Sequence, residues 1–295
     1  MPQDFGSGDA EEDCATCPPK TENVVVIGSE FEYELAGFQL KLMFMACGWA
    51  TAAGQRVPPG WTAADRTTVA YVREGYNRWE LLNLDWLRDN LDVRIVQIGS
   101  VGDFLGVLRD RGEGEDRHVI RNLALYCHGL PDYLSLNYDA WTNQMNVRLP
   151  LMLSLPTDLF SADGTIHSYA CRTAMRGYGQ GLANHFGVRV KAFKRRTNYG
   201  SVIRDRGRHA EIAEQMSEAR QGREGQVVSL PPAHEAYPHP GLSAGSIPFF
   251  DDGGETEGIN DYALWRLNGA RALPVSGSSP EDQPAGMFTL RPADE

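Results

Sequence analysis

Leu123-Ala124-Leu125-Tyr126-Cys127-His128-Gly129 and, further along, Ile166-His167-Ser168-Tyr169-Ala170-Cys171 are the two stretches whose reading decides the fold. Each is an apolar run of strand length that stops on a chemically active side chain, an imidazole in the first and a thiol in the second. A third run, Val188-Arg189-Val190-Lys191-Ala192-Phe193, follows a gap of helical size closed by Gly187, a natural helix stop. Strand, helix and strand in this order predict parallel pairing through crossover connections. Parallel neighbours would bring the His128 and Cys171 tips to the same rim of one sheet.

The chain on either side extends the same pattern. Val24-Val25-Val26-Ile27, closed by Gly28, reads as a buried central strand, and helical apolar spacing over residues 31–49 gives the helix after it. Gly28 is followed by Ser29, Glu30 and Phe31, so this turn lacks the G-x-G-x-x-G of a dinucleotide site. Residues 51–68 read as a loop, residues 69–91 as one amphipathic helix carrying Trp79, Leu82 and Trp86, and Val93-Arg94-Ile95-Val96-Gln97-Ile98 as a strand. A short helix over 103–109 and a charged glycine-containing loop over 111–117 follow. Beyond the third run, residues 208–220 predict a polar helix and residues 221–260 an irregular region, with a last helix over 262–267 and a strand at Leu273-Pro274-Val275. The expected architecture is an α/β three-layer sandwich with a mainly parallel central sheet. A flexible acidic arm (1–22) precedes one α/β domain (23–220), and an irregular extension (221–295) packs on that domain.

Composition narrows the function. With 42% hydrophobic and 23% charged residues among 295, the chain can bury a core. A formal charge of −11 argues against general nucleic-acid binding, which needs basic surface. No apolar run approaches the ~18 residues of a membrane span. Residues 1–20 are polar and hold no apolar signal-peptide core, which predicts a cytoplasmic protein or one exported without a cleavable signal. Five cysteines are an odd count and no disulfide framework. Cys14-x-x-Cys17 is half of a tetrahedral zinc site with no second pair, and His234 and His239 are spaced and interrupted by proline as loop residues, so no metal is expected.

Taken singly, His128 reads as a structural histidine and Cys171 as a small core residue. Taken as a pair on neighbouring strand ends, they are a nucleophile and its base. The Cys171 thiolate would attack, and His128 would take its proton and return it to the leaving amine. The N–H groups of Gly129, which has no side chain to block approach, and of Cys171 would form an oxyanion hole. This chemistry requires no metal and no organic cofactor. A rival enzyme class rests on Gly241-Leu242-Ser243-Ala244-Gly245, which matches G-x-S-x-G with Ser243 as nucleophile, but Pro240 and Pro248 break the strand and helix that such an elbow needs.

Tyr126-Cys127-His128-Gly129 followed by Ser168-Tyr169-Ala170-Cys171-Arg172-Thr173 resembles the caspase-like cysteine peptidases, a group that includes caspases, metacaspases, gingipain-type proteases, separase and the self-cleaving domains of bacterial toxins. The run through Gly181-Leu182-Ala183-Asn184, Val188-Arg189-Val190 and Thr197-Asn198-Tyr199 is most similar to the toxin branch, and the likeness covers about residues 93–203. It departs from metacaspases at Ala170, where that branch favours Asp, and at Arg172. The resemblance implies a caspase-like fold and a cysteine endopeptidase acting on protein or peptide substrates. Its toxin branch implies a bacterial secreted effector or toxin, with an immunity or inhibitor protein as a partner. It also implies a substrate pocket for which Arg172, Arg195 and Arg196 are available and a specificity wall over residues 194–201, so Arg172, Arg195, Arg196, Thr197 and Tyr199 are the candidate pocket residues. Caspase-like folds also serve as inactive scaffolds and binding modules, the alternative from outside enzymology.

Overall fold

A computed structural model describes residues 19–30, 41–76, 78–112, 116–138, 140, 143–198, 273–276 and 283–293. In chain order the elements begin with β1 (Lys20–Ile27), β2 (Ser29–Glu30), α1 (Lys41–Ala52), β3 (Arg66–Val72), α2 (Arg78–Leu91), β4 (Arg94–Ile98) and α3 (Val101–Arg109). They continue with β5 (His118–Tyr126), β6 (His128–Leu130), β7 (Tyr133–Ser135), β8 (Asn137–Tyr138), β9 (Asn146–Arg148), α4 (Leu149–Met152) and β10 (Phe160–Ser168). The last are α5 (Tyr178–Phe186), β11 (Arg189–Phe193), β12 (Thr197–Asn198), β13 (Val275–Ser276) and β14 (Met287–Leu290).

Seven strands form the main sheet in the order β14-β11-β10-β5-β1-β3-β4. All its pairings are parallel except the antiparallel edge β11–β14. The chain builds outward from β1 in both directions, first through β3 and β4, then through β5, β10 and β11. The order therefore reverses between β1 and β5, and open α/β sheets form their crevices outside the C-terminal strand ends at such a reversal.

Alternation along β1 explains its place at the centre. Val25 and Ile27 point into one core with Val69, Tyr126, Phe44 and Trp49 of α1, and Leu84 and Leu87 of α2. Val24 and Val26 point into the other with Ala70, Leu123, Leu125, Phe104 and Leu108 of α3, and Leu182 and Phe186 of α5. All four β1 residues are fully buried. A strand covered on both faces must be apolar on both, which is why this run shows no polar alternation. α3 is capped as its sequence allows: Ser100 Oγ accepts from Asp103 N–H (3.0 Å) and the Asp103 carboxylate accepts from Gly99 N–H (3.0 Å). Gly187 ends α5 at φ 67°, the left-handed conformation expected of it.

The segment 69–91 is not one helix. Its first part belongs to β3, whose Thr67-Thr68-Val69-Ala70-Tyr71-Val72 is a β-branched and aromatic run. Parallel pairing with both β1 and β4 supplies the backbone hydrogen bonds, and the turn around Gly75 separates it from α2. β1 starts at Lys20, inside the stretch read as an arm. β10 runs from Phe160, with an irregularity in its pairing between Phe160 and Thr165, across Asp163-Gly164. The edge strand β14 comes from the C-terminal segment. The helices expected over 208–220 and 262–267 and the irregular stretch 221–260 lie outside the described residues.

At the N-terminal rim of the sheet, Glu22 is fully buried and accepts from Thr68, Arg111 and, at 2.9 Å, Arg66. Burial alone would raise its carboxyl, but Arg66, Arg111 and Thr68 together outweigh it and hold the group below the usual carboxylate range. This cluster ties β1, β3 and the entry to β5 together at the end remote from His128 and Cys171.

Candidate active site

β5 and β10 are parallel neighbours, with Ser168 opposite Leu125, and their ladder continues one step through Tyr169 N–H to Leu125 O at 3.0 Å. The next residues out are Cys127-His128 on one strand end and Ala170-Cys171 on the other. The imidazole and thiol residues thus leave the same rim from adjacent strands. Stacking of Tyr126 on Tyr169 (centroids 5.1 Å apart, planes 12°) and a 2.7 Å hydrogen bond between the Tyr126 and Thr51 hydroxyls brace this pair of ends from the α1 side.

His128 sits on structure rather than on a free loop. It opens β6, which pairs antiparallel with β7, itself paired with β9. The β1 terminus passes close to the end of β5 and the segment after β7: Gly28 N–H donates to Tyr126 O (2.8 Å) and Ser29 N–H to Leu136 O (2.6 Å). A β-carbon on Gly28 would lie 2.6 Å from Cys127 Cβ, so this close approach needs glycine. The His128 side chain is 7% exposed and lies between two rings, Phe44 of α1 edge-on (centroids 5.0 Å, 86°) and Tyr138 of β8 face-to-face with a tilt (4.4 Å, 36°).

Cys171 begins a turn pinned at several points. Arg172 N–H donates to Arg195 O (3.1 Å), Ala174 N–H to Phe193 O (3.0 Å) and Gly179 N–H to Thr173 O (2.9 Å). The Thr173 hydroxyl donates to Ala170 O (3.1 Å) and shares a 2.7 Å hydrogen bond with the Ser168 hydroxyl. Arg172 adopts φ 59°, a left-handed conformation unusual for a side-chain-bearing residue, directly after the thiol. Cys171 is 4% exposed and its sulfur accepts from Thr197 N–H at 3.3 Å. An N–H aimed at sulfur favours the anion over the thiol.

The two tips come into contact at Gly129. A β-carbon there would stand 2.5 Å from Cys171 O and 2.9 Å from Cys171 N. The Gly129 backbone thus abuts the Cys171 peptide, and only hydrogen fits between them. Two other described thiols, Cys47 and Cys127, are buried, and burial raises both well above the ordinary thiol range. The charge of Cys171 raises Cys127 further. Neither is equipped as a nucleophile.

No protein-family model matches the chain, and no curated protein matches it in sequence. The site has to be read from its own geometry.

Beside Cys171 lies a cavity of about 420 Å³, lined by Arg56, Val57, Pro59, Tyr169, Phe193, Leu273, Pro274, Val275, Ser276, Gly286 and Met287. Its walls connect to the thiol at two points. Tyr169 precedes Cys171 by two residues on the same strand end, and Ser276 pairs in β13 with Thr197, whose N–H meets the sulfur. The expected pocket residues Arg172, Arg195 and Arg196 are half-buried around the Cys171 turn but do not line this cavity. Thr197 is fully buried and contributes its amide rather than its side chain to the sulfur. Tyr199, Ser243, His234, His239, Cys14 and Cys17 lie outside the described residues. Among the described residues no cluster of three His, Cys, Asp or Glu is placed to hold a metal, and no helix is long and apolar enough to cross a membrane.

Sequence reasoning missed Phe44 and Tyr138 around His128 and the apolar lining from Val57, Leu273 and Met287. These residues come from segments far apart in the chain, and nothing local in their sequence marks them.

Proposed function

We propose that this protein is a cysteine endopeptidase of caspase-like design, with Cys171 as nucleophile and His128 as general base. The supporting observation is that the adjacent parallel strands β5 and β10 lead into these two residues on one rim, with the Gly129 backbone against the Cys171 peptide. The three-layer arrangement of the caspase-like group is part of this proposal; helices packed on both faces of the sheet agree with it.

The reaction runs as follows. His128 takes the thiol proton, and the thiolate attacks the carbonyl carbon of the substrate peptide. The carbonyl oxygen becomes an oxyanion that accepts from the N–H groups of Gly129 and Cys171. As the C–N bond breaks, His128 gives its proton to the departing amine, leaving a thioester on Cys171. His128 then deprotonates a water that attacks the thioester, releasing the acid and restoring the thiol. The cavity takes an uncharged, apolar substrate side chain, because its lining is mostly apolar, with Arg56 its one charged residue. A secreted effector role belongs to the same proposal through the toxin-type sequence likeness.

The test is cleavage of a denatured proteome by wild type and Cys171→Ala, with the new N-termini mapped. Cuts after apolar residues, absent from the variant, support the reading; identical termini from both proteins refute it. The scaffold alternative draws on the low exposure of Cys171 and His128. It predicts that a thiol-directed probe labels Cys171 no faster after comparison with His128→Ala.

A further inference from the structure

Residues 53–65 link the end of α1 to the start of β3 and supply one wall of the cavity, through Arg56, Val57 and Pro59. The stretch is neither helix nor strand, so side chains of the main sheet hold it instead. Lys191 Nζ of β11 donates to Pro59 O. Asn23 of β1 and Asn122 of β5 both donate to Thr62 O, at 3.0 and 3.1 Å, and Arg121 Nη1 donates to Ala63 O at 2.8 Å. Between these fastenings Trp61 packs its ring on His167 of β10, with centroids 5.7 Å apart and planes at 50°.

His167 is fully buried, and neither ring nitrogen has a hydrogen-bond partner among the described residues. Such an imidazole is tolerated only uncharged. Its surroundings offer a proton no compensation. His167 pairs with Lys191 of β11 and Ala124 of β5, and Thr165 pairs with Arg189 and Asn122. Lys191 and Arg189 are both positive and both act against an imidazolium. Arg121 of β5 and Arg56 of the loop bring no negative charge. The carboxylates of the adjoining elements are engaged elsewhere: Asp65 accepts from the Thr21 N–H (2.7 Å) and hydroxyl (2.9 Å), and Asp163 faces Arg121 at 3.9 Å. Burial holds Tyr126 and Tyr169 on the same face neutral.

A proton on His167 therefore requires that the ring reach water. The strands on either side are tied by continuous ladders, whereas the loop is tied by single side-chain bonds, so the loop yields first. Lifting Trp61 draws Pro59, two residues away, with it.

We propose that residues 57–63 are an acid-released wall of the substrate pocket: protonation of His167 expels Trp61, and the loop carries Val57 and Pro59 away from the cavity. The pocket half of this statement rests on the endopeptidase reading; the release of Trp61 does not. Burial first, then Lys191 and Arg189, lower His167 from 6.5 to about 3 in the closed form. The closed loop is fully favoured above 6.5, and each pH unit from there towards 3 raises the ratio of released to closed loop about tenfold.

The experiment is fast hydroxyl-radical footprinting of the full chain from neutral pH to about pH 4, with oxidation of individual tryptophans read by mass spectrometry. Trp49, buried on α1 with its indole N–H donating to Asn83 O at 3.1 Å, reports global unfolding. Trp61 oxidation should rise about threefold in acid while Trp49 stays unchanged. His167→Leu and His167→Phe, two neutral replacements, should each abolish the rise, and either folded variant suffices. No rise in wild type by about pH 4, the same rise in a neutral variant, or Trp61 and Trp49 rising together overturns the proposal. Proteome cleavage separates the two levels. Cuts after apolar residues should fall off in acid more steeply for wild type than for His167→Leu, and an equal fall in both overturns the link to the pocket. Release of Trp61 in a protein that cleaves nothing at any pH refutes the endopeptidase reading and leaves the acid-released loop standing.

Discussion

Gly129→Ala adds one methyl group where the two strand tips meet. The new carbon would stand 2.5 Å from Cys171 O, 2.8 Å from Ala170 Cβ and 2.9 Å from Cys171 N. Two of these three are backbone atoms, so no side chain can rotate away and the tips must separate. Gly129 is outside the left-handed region, so the cost is steric and not conformational. Overpacking of this kind typically costs ~1–3 kcal/mol of stability. A displacement of about 1 Å between nucleophile, base and oxyanion donors costs on the order of 100-fold in rate. The expected outcome is a folded protein with a small loss in urea stability and a large loss in both proteome cleavage and Cys171 alkylation. Gly106→Ala is the matched control: a β-carbon there meets nothing within 4 Å inside α3, so it should raise stability by ~0.5–1 kcal/mol and leave activity alone. Gly129→Ala with wild-type stability and wild-type Cys171 reactivity would refute the reasoning, because it would mean that the tips have room the geometry denies them.

Other parts of the molecule give further expectations. Thr197→Pro removes the N–H that meets the Cys171 sulfur and should slow Cys171 alkylation at neutral pH about tenfold, while Thr197→Val, which keeps the amide, should not; equal rates in both would dismiss the amide's role. Glu22→Ala leaves the buried Arg111 charge uncompensated and should cost ~3–5 kcal/mol in denaturant unfolding, whereas Glu22→Leu combined with Arg111→Met should recover most of it. His167 is fully buried, and neither ring nitrogen has a hydrogen-bond partner among the described residues. Burial first, then Lys191 and Arg189, lower it from 6.5 to about 3. The unfolded chain therefore binds this proton and the folded chain does not between those values. Its contribution to stability is complete above 6.5 and is lost as pH falls towards 3, by at most ~5 kcal/mol. His167→Leu should flatten the acid side of the stability profile, and an unchanged slope would count against a neutral, buried imidazole.

Much of the sheet was legible along the chain because its strands announce themselves locally. Val24-Val25-Val26-Ile27 and Leu123-Ala124-Leu125-Tyr126 are apolar without alternation, the mark of strands covered on both faces. The run 69–91 misled because Tyr71 and Val72 lead into α2 after a short turn, and the aromatic and leucine spacing of the helix masks the strand before it. β14 was missed for another reason. Met287-Phe288-Thr289-Leu290 is apolar at three positions but too short to stand out as a strand, and its place beside β11 is set by pairing with a partner far away in sequence.

The same division holds at the site. The amino-acid order alone determined that one apolar run leads into His128-Gly129 and a later one into Cys171, because each residue's identity and its position after an apolar run are local properties. Only the tertiary structure decided that β10 lies next to β5, that Thr197 turns its amide to the sulfur, that Phe44 and Tyr138 enclose the imidazole, and that an apolar cavity opens beside Tyr169. These are contacts between segments brought together by burial of two cores on opposite faces of one sheet. Burial rewards apolar area without regard to sequence distance, so no local pattern could specify which distant residues it would bring to the rim.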